Sequence, residues 1–158
     1  MGMIEKIKKY VQGRVVFLGI GNPVRGDDGV GSRFIEELKN RRQMISLSVH
    51  LFNGEKVPEN YLEPIINVRP STVFIVDAAD FGAPAGTVEL FEKVEPCVSF
   101  STHSLPLNFI VDYLKERTKA RVFILGIQPK QINWGDGLSF EVEREMKKLV
   151  DQFILLLH

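Results

Sequence analysis

Three short segments of this 158-residue chain set acids and a histidine where side chains can do chemistry. The first runs Gly19-Ile20-Gly21-Asn22-Pro23-Val24-Arg25-Gly26-Asp27-Asp28-Gly29-Val30-Gly31. It follows an apolar run and opens an amphipathic one, the layout of a phosphate-binding loop, but two adjacent carboxylates stand where a phosphate would sit. A helix N-terminus attracts anions, so a resident carboxylate takes the place of phosphate, and the segment suits a cation better. The dinucleotide fingerprint also fails: Gly19 and Gly21 fit its first two glycines, but Val24 stands at the third. The second segment, Val76-Asp77-Ala78-Ala79-Asp80, ends an apolar run on Asp77. A carboxylate there is costly to desolvate unless it is paired or bound to metal. The third, Ser101-Thr102-His103-Ser104, puts an imidazole before a helical pattern. A cation is unfavourable at a helix start, so neutral imidazole, the metal-binding form, is preferred.

Each residue has a plainer explanation. Aspartate is a good helix cap, and capping accounts for one of Asp27 and Asp28. It does not account for both, and the flanking glycines are expected to leave the pair unshielded, so at least one is assigned to function. Asp80 reads as a cap for the turn before Gly82. His50 and His158 read as solvated. Asp28, Asp77 and His103 remain as the candidate catalytic and metal-binding set. Two carboxylates and one imidazole suit a divalent transition metal and leave coordination positions open, the arrangement of a working site. Nickel, zinc, iron and manganese all fit such donors, and without a thiolate the metal need not be held permanently. Cys97 with His103 is a weak thiol-protease signal, since no orienting Asn or Asp is identifiable and a lone cysteine reads better as a small buried hydrophobe. Ser101 and Ser104 lie in no Gly-x-Ser-x-Gly elbow, and the chain carries neither a Walker loop nor a His-Glu-x-x-His motif. Gly21, Gly26 and Gly29 are expected to supply positive φ.

The elements that must position these residues alternate between strand and helix patterns. Arg14 to Gly19, Thr72 to Val76 and Arg121 to Gly126 read as central strands, Ser46 to Phe52 as a half-exposed strand, and Thr87 to Phe91 as an antiparallel edge. Helical spacing predicts helices over Gly29 to about Asn40, Pro58 to Asn67, a segment from about Leu107, and a final one capped by Ser139, with Ser104 the cap of the third. Glu92 to Thr102 and Gln128 to Leu138 read as loops, with Trp134 in the second. The order predicts an α/β fold: a single three-layer domain over residues 1–158, its twisted, mostly parallel sheet covered by helices on both faces. Ligands of such folds bind beyond the carboxyl ends of the strands, at a switch in strand order, so Asp28, Asp77 and His103 are expected to converge there.

The 20 basic and 20 acidic residues cancel, so bulk attraction to nucleic acid or to an anionic membrane is not expected. With Cys97 the only cysteine, no internal disulfide forms, which fits a reducing compartment. No run approaches the ~20 apolar residues of a membrane span, and the first residues lack a signal-peptide core. The expected location is the cytoplasm, without membrane insertion.

At four places the chain resembles the hydrogenase maturation proteases, endopeptidases that trim the C-terminus of the large subunit of nickel–iron hydrogenases. These are Gly19-Ile20-Gly21-Asn22 through Gly26-Asp27-Asp28-Gly29-Val30-Gly31, Ile75-Val76-Asp77-Ala78, Thr102-His103-Ser104-Leu105-Pro106-Leu107-Asn108 and Leu125-Gly126-Ile127-Gln128-Pro129. The last two look most like the branch serving membrane-bound, energy-converting hydrogenases. The resemblance implies that Asp28, Asp77 and His103 are metal ligands. It also implies that the partner is the precursor of a hydrogenase large subunit, and that nickel arrives with that precursor. Nickel as ruler, nickel as Lewis acid and a carboxylate as the base that activates water all remain open. So do two rival activities, a non-proteolytic nickel-binding assembly module and a metal-dependent hydrolase of a small molecule.

Overall fold

The computed structural model describes residues 2–101, 105–133, 135 and 137–158. Its elements are, in chain order, α1 (Met3–Ile7), β1 (Val15–Ile20), α2 (Val30–Asn40), β2 (Val49–Glu55), α3 (Leu62–Val68), β3 (Thr72–Asp80), β4 (Val88–Phe91), β5 (Ser99–Phe100), α4 (Leu107–Arg117), β6 (Arg121–Ile127) and α5 (Phe140–Leu157). The sheet has the order β2-β1-β3-β6-β4, with β5 added to β3. The β1–β2, β1–β3 and β3–β6 pairs are parallel, while β4 runs antiparallel to β6 and β5 to β3. The α/β class and the antiparallel edge are therefore as the patterning predicts.

Alternation along the central strands divides the core. Phe17, Phe74, Val76, Phe123 and Leu125 pack with Phe34 and Leu38 of α2 and with Met146, Val150 and Phe153 of α5. Val16, Leu18, Val73, Ile75, Val122 and Ile124 pack on the other face with Leu62 and Ile65 of α3 and Ile110 and Leu114 of α4. Successive strand side chains point to opposite faces, so strands apolar at every position need a helix layer on each side. Gly31 lets α2 sit against the sheet: a Cβ there would overlap the carbonyl oxygens of Val76 and Ile20.

Four local features depart from the sequence expectations. β2 begins at Val49, and Leu47 is 86% exposed before it. Ser46 forms a turn there, accepting the Ser48 N–H at its hydroxyl and the Val49 N–H at its carbonyl, which breaks the apparent alternation. The Pro58 segment is a 3-10 turn (Pro58–Tyr61) followed by α3, which closes on Arg69 in the left-handed region. β3 runs past Val76 to Asp80, because beyond its last pairing with β1 it still pairs with β6 and then with β5. Asp77 thus lies within the strand rather than at its end, and β5 interrupts the expected 92–102 loop. Finally, Pro106 occupies the N-cap position of α4, and Ser104, expected to cap it, lies outside the described residues. Among the described residues no helix is long and apolar enough to cross a membrane.

Candidate active site

From β1 the chain crosses to β2 on one side, while β3 lies on the other. This reversal opens a crevice at the carboxyl ends of β1 and β3. The loop that follows β1 and the part of β3 beyond its β1 pairing meet at that crevice. Gly21 makes the meeting possible. It adopts φ +125°, and a Cβ there would overlap the Asp28 carbonyl oxygen and come within 3.8 Å of Asp77 Oδ1. Asp28 sits in a 3-10 turn (Gly26–Gly29) leading into α2, and its Oδ2 accepts the Asn22 N–H at 3.0 Å.

Asp77 is fully buried, and its partners among the described residues include both donors of one serine and the Ala78 N–H. Ser101 donates its hydroxyl to Asp77 Oδ1 and its N–H to Oδ2 at 3.2 Å. Burial pushes the Asp77 carboxyl well above the usual carboxylate range; the Ser101 hydroxyl opposes this, and the nearby negative charge of Asp28 adds to it. Two carboxyl groups so placed in a dry crevice do not both ionise cheaply. The pair is stabilised by holding a proton or by meeting a cation. Oxygen donors of this kind suit a divalent metal brought into the crevice, and a buried carboxyl can take up and release a proton there.

Asp27, adjacent in sequence, has a different task. Its Oδ2 accepts the N–H groups of Lys130 (2.8 Å) and Gln131 (3.0 Å) and the Ser139 hydroxyl (2.6 Å), and its Oδ1 accepts the Ser139 N–H (2.7 Å). Its own N–H donates to the Gln131 carbonyl at 2.9 Å. The two acids divide the work, Asp27 tying the loop after β6 to the loop after β1 and Asp28 facing Asp77. Both are buried, so the expectation of an unshielded pair is wrong: Lys130, Gln131 and Ser139 close on Asp27, and the Asn22 backbone closes on Asp28. Ser139 takes the N-cap position of α5, yet its hydroxyl serves Asp27 rather than the helix. Gly21 and Gly26 have positive φ as expected, whereas Gly29 does not and is required for space beside Pro23.

Sequence patterns missed the partners that hold the acids. In the sequence Ser101 reads only as a neighbour of His103, and Asn22 only as part of the glycine-rich motif. Gln128 accepts the N–H groups of Phe81 and Ala83 and donates to Asp80, fixing the turn beyond β3. Asp80 also accepts the Gly82 N–H, the capping role expected of it. Cys97 is exposed rather than buried. His50 is half-buried on β2. Among the described residues no three His, Cys, Asp or Glu side chains gather as a metal site. His103, the third member of the expected set, lies outside those residues, as does Trp134.

The hydrogenase maturation protease family profile matches residues 32–155. The Hydrogenase 3 maturation protease of Escherichia coli K12 is 34% identical over 138 residues, covering 86% of this chain and 83% of its own. A Methanocaldococcus jannaschii protein, provisionally named as a hydrogenase maturation protease, is 34% identical over 158 residues, covering 96% of this chain and 92% of its own. The crystal structure of the NiFe hydrogenase maturation protease HycI from Thermococcus kodakarensis superposes with a TM-score of 0.85 at 30% identity, covering 96% of this chain and 98% of that one. The match therefore extends from the strand order of the sheet to nearly the full length of the sequence, and the chain belongs to the hydrogenase maturation protease family.

Proposed function

We propose that this chain is an endopeptidase that removes a short C-terminal peptide from the nickel-loaded precursor of a nickel–iron hydrogenase large subunit, meeting the precursor's nickel through Asp28, Asp77 and His103. The observation that carries this reading is the meeting of Asp28 and the buried Asp77 at the switch point of a chain of this family. Nickel belongs to the substrate, where it supplies a positive charge beside the scissile peptide. The protein's part is to present two dry carboxyl groups at a fixed place. Ser101 holds Asp77 from one side and the Asn22 N–H holds Asp28 from the other, so the oxygens need little reorganisation when a cation arrives. A carboxylate of the pair takes a proton from the attacking water as its oxygen bonds to the scissile carbonyl carbon. It returns that proton to the amine nitrogen as the C–N bond breaks. The setting proposed for this work is the cytoplasm.

The test is the intact mass of a hydrogenase large-subunit precursor after incubation with the protein, with and without nickel loading. Loss of a C-terminal peptide from the nickel-loaded precursor alone is the expected result. Equal loss without nickel would keep the protease and discard the metal as its ruler. No loss from a loaded cognate precursor would replace the protease with a non-proteolytic assembly module.

A further inference from the structure

We propose that Val24, Ile132 and Phe140 form an apolar grip for an extended, uncharged stretch of the precursor polypeptide bordering the scissile bond, with Asp27 as the positioning residue that assembles it. The proposal rests on the endopeptidase reading above. The three side chains are 53%, 41% and 72% exposed. They come from the loop after β1, the loop after β6 and the first residue of α5, which hydrogen bonds hold together. The Gly135 N–H donates to the Val24 carbonyl at 2.9 Å, the Asp27 N–H donates to the Gln131 carbonyl, and Asp27 accepts from Lys130, Gln131 and Ser139. Ile132 and Phe140 thus each follow directly on a residue bound to Asp27. Val24 belongs to the same unit as Asp28: Asn22 accepts the Val24 N–H at its Oδ1 and donates its own N–H to Asp28.

The occupant follows from continuity with the acid pair and from charge. A surface built into the same hydrogen-bonded unit as Asp28 meets the chain that enters the crevice, and apolar side chains there gain when that chain displaces water. The charges flanking Ile132 and Phe140 are paired within the protein. Asp27 is saturated with donors, Lys130 pairs with Glu141 at 2.8 Å, and Arg144, whose guanidinium lies 5.4 Å from the Phe140 ring centre, pairs with Glu145 at 3.0 Å. An uncharged apolar segment suits such a surface better than a charged one. Leu47 and Leu155, 86% and 73% exposed, lie toward the opposite ends of the strands, before β2 and in the last turn of α5.

The experiment measures steady-state processing of a nickel-loaded large-subunit precursor by three proteins: wild type, a triple variant (Val24→Ser, Ile132→Ser, Phe140→Ser) and a control double variant (Leu47→Ser, Leu155→Ser). The triple variant is expected to raise KM by roughly tenfold or more with kcat within about twofold, the signature of lost uniform binding. The control is expected to match wild type. An unchanged KM in the triple variant, a fall confined to kcat, or an equal loss in the control would overturn the grip while leaving the endopeptidase standing. Failure of wild type to cleave would overturn both. A concentration-dependent dimer abolished by the triple variant, with processing unchanged, would reassign the face to a second copy of this chain and overturn the proposal.

Discussion

Asp77 carries the sharpest physical conflict in the molecule, an acid at zero exposure in the middle of an apolar sheet. Its raised pKa means that the native state keeps a proton to higher pH than the unfolded chain does. Between about pH 4, the unfolded value, and the native pKa, the native state binds more protons, so stability falls as pH rises. Below both values the group contributes nothing to the slope. Asp77→Asn removes this titration and keeps an acceptor for Ser101. The melting-temperature difference between Asp77→Asn and wild type is expected to shift in favour of the variant from pH 4 to pH 8. A difference constant with pH would show that burial of this carboxyl carries no pH-dependent penalty. On the proposed function, Asp77→Asn and Asp28→Asn each lose processing by a hundredfold or more while remaining folded, as read by intact mass and circular dichroism on the same samples; this is roughly the effect of losing general acid–base catalysis. Asp77 was legible because a lone acid in an apolar run is costly. Ser101 was not, because a serine that holds a carboxylate looks like any loop serine until the fold brings them together.

At the scale of elements, the acid loop and the loop after β6 form one unit, and Asp27 is its fastener. Hydrogen bonds to a buried charged group are each worth about 1.5–3 kcal/mol, and an unmatched buried donor is costly. Asp27→Ala strands donors on Lys130, Gln131 and Ser139 together, and is expected to lower stability by about 3 kcal/mol or more. Urea unfolding checks the magnitude, and hydrogen exchange at those three amides checks the cause. Unchanged protection there would refute the fastening role. The sequence showed that two adjacent acids could not both be caps but not which one was structural, since the deciding partners lie more than 100 residues away. β5 was illegible for a related reason: two residues give no period to read, and the strand exists because β3 outruns β1 and offers an unpaired edge. Leu47 misled because a Ser-Leu-Ser-Val alternation imitates a strand where the Ser46 turn still precedes the extended run.

Across the whole molecule the fold was largely readable, because the runs from Val15, Thr72 and Arg121 are apolar on both phases and only a sheet covered on both faces hides them. That same construction separates stability from chemistry. On one face Phe153 of α5 stacks edge-on against Phe17 at 5.1 Å and Phe74 at 5.5 Å, and meets Phe34 at 6.0 Å, so one ring ties the last helix to β1, β3 and α2. The acid pair occupies the carboxyl edge of the same strands, supported by Asn22 and Ser101. Phe153→Ala leaves a cavity among three rings and is expected to cost about 3–5 kcal/mol, lowering the melting temperature by roughly 6–20 °C. Below that lowered temperature, processing per folded molecule is expected to stay within about twofold of wild type, because Phe153 packs in the apolar core, away from the Asn22 and Ser101 groups that bond Asp28 and Asp77. Asp28→Asn shows the reverse pattern, an intact melt with lost processing. If Phe153→Ala lost activity well below its melting temperature, packing of α5 would be setting the carboxyl geometry. The reach of Asp27 to Ser139, at the start of that helix, is the route by which it would do so.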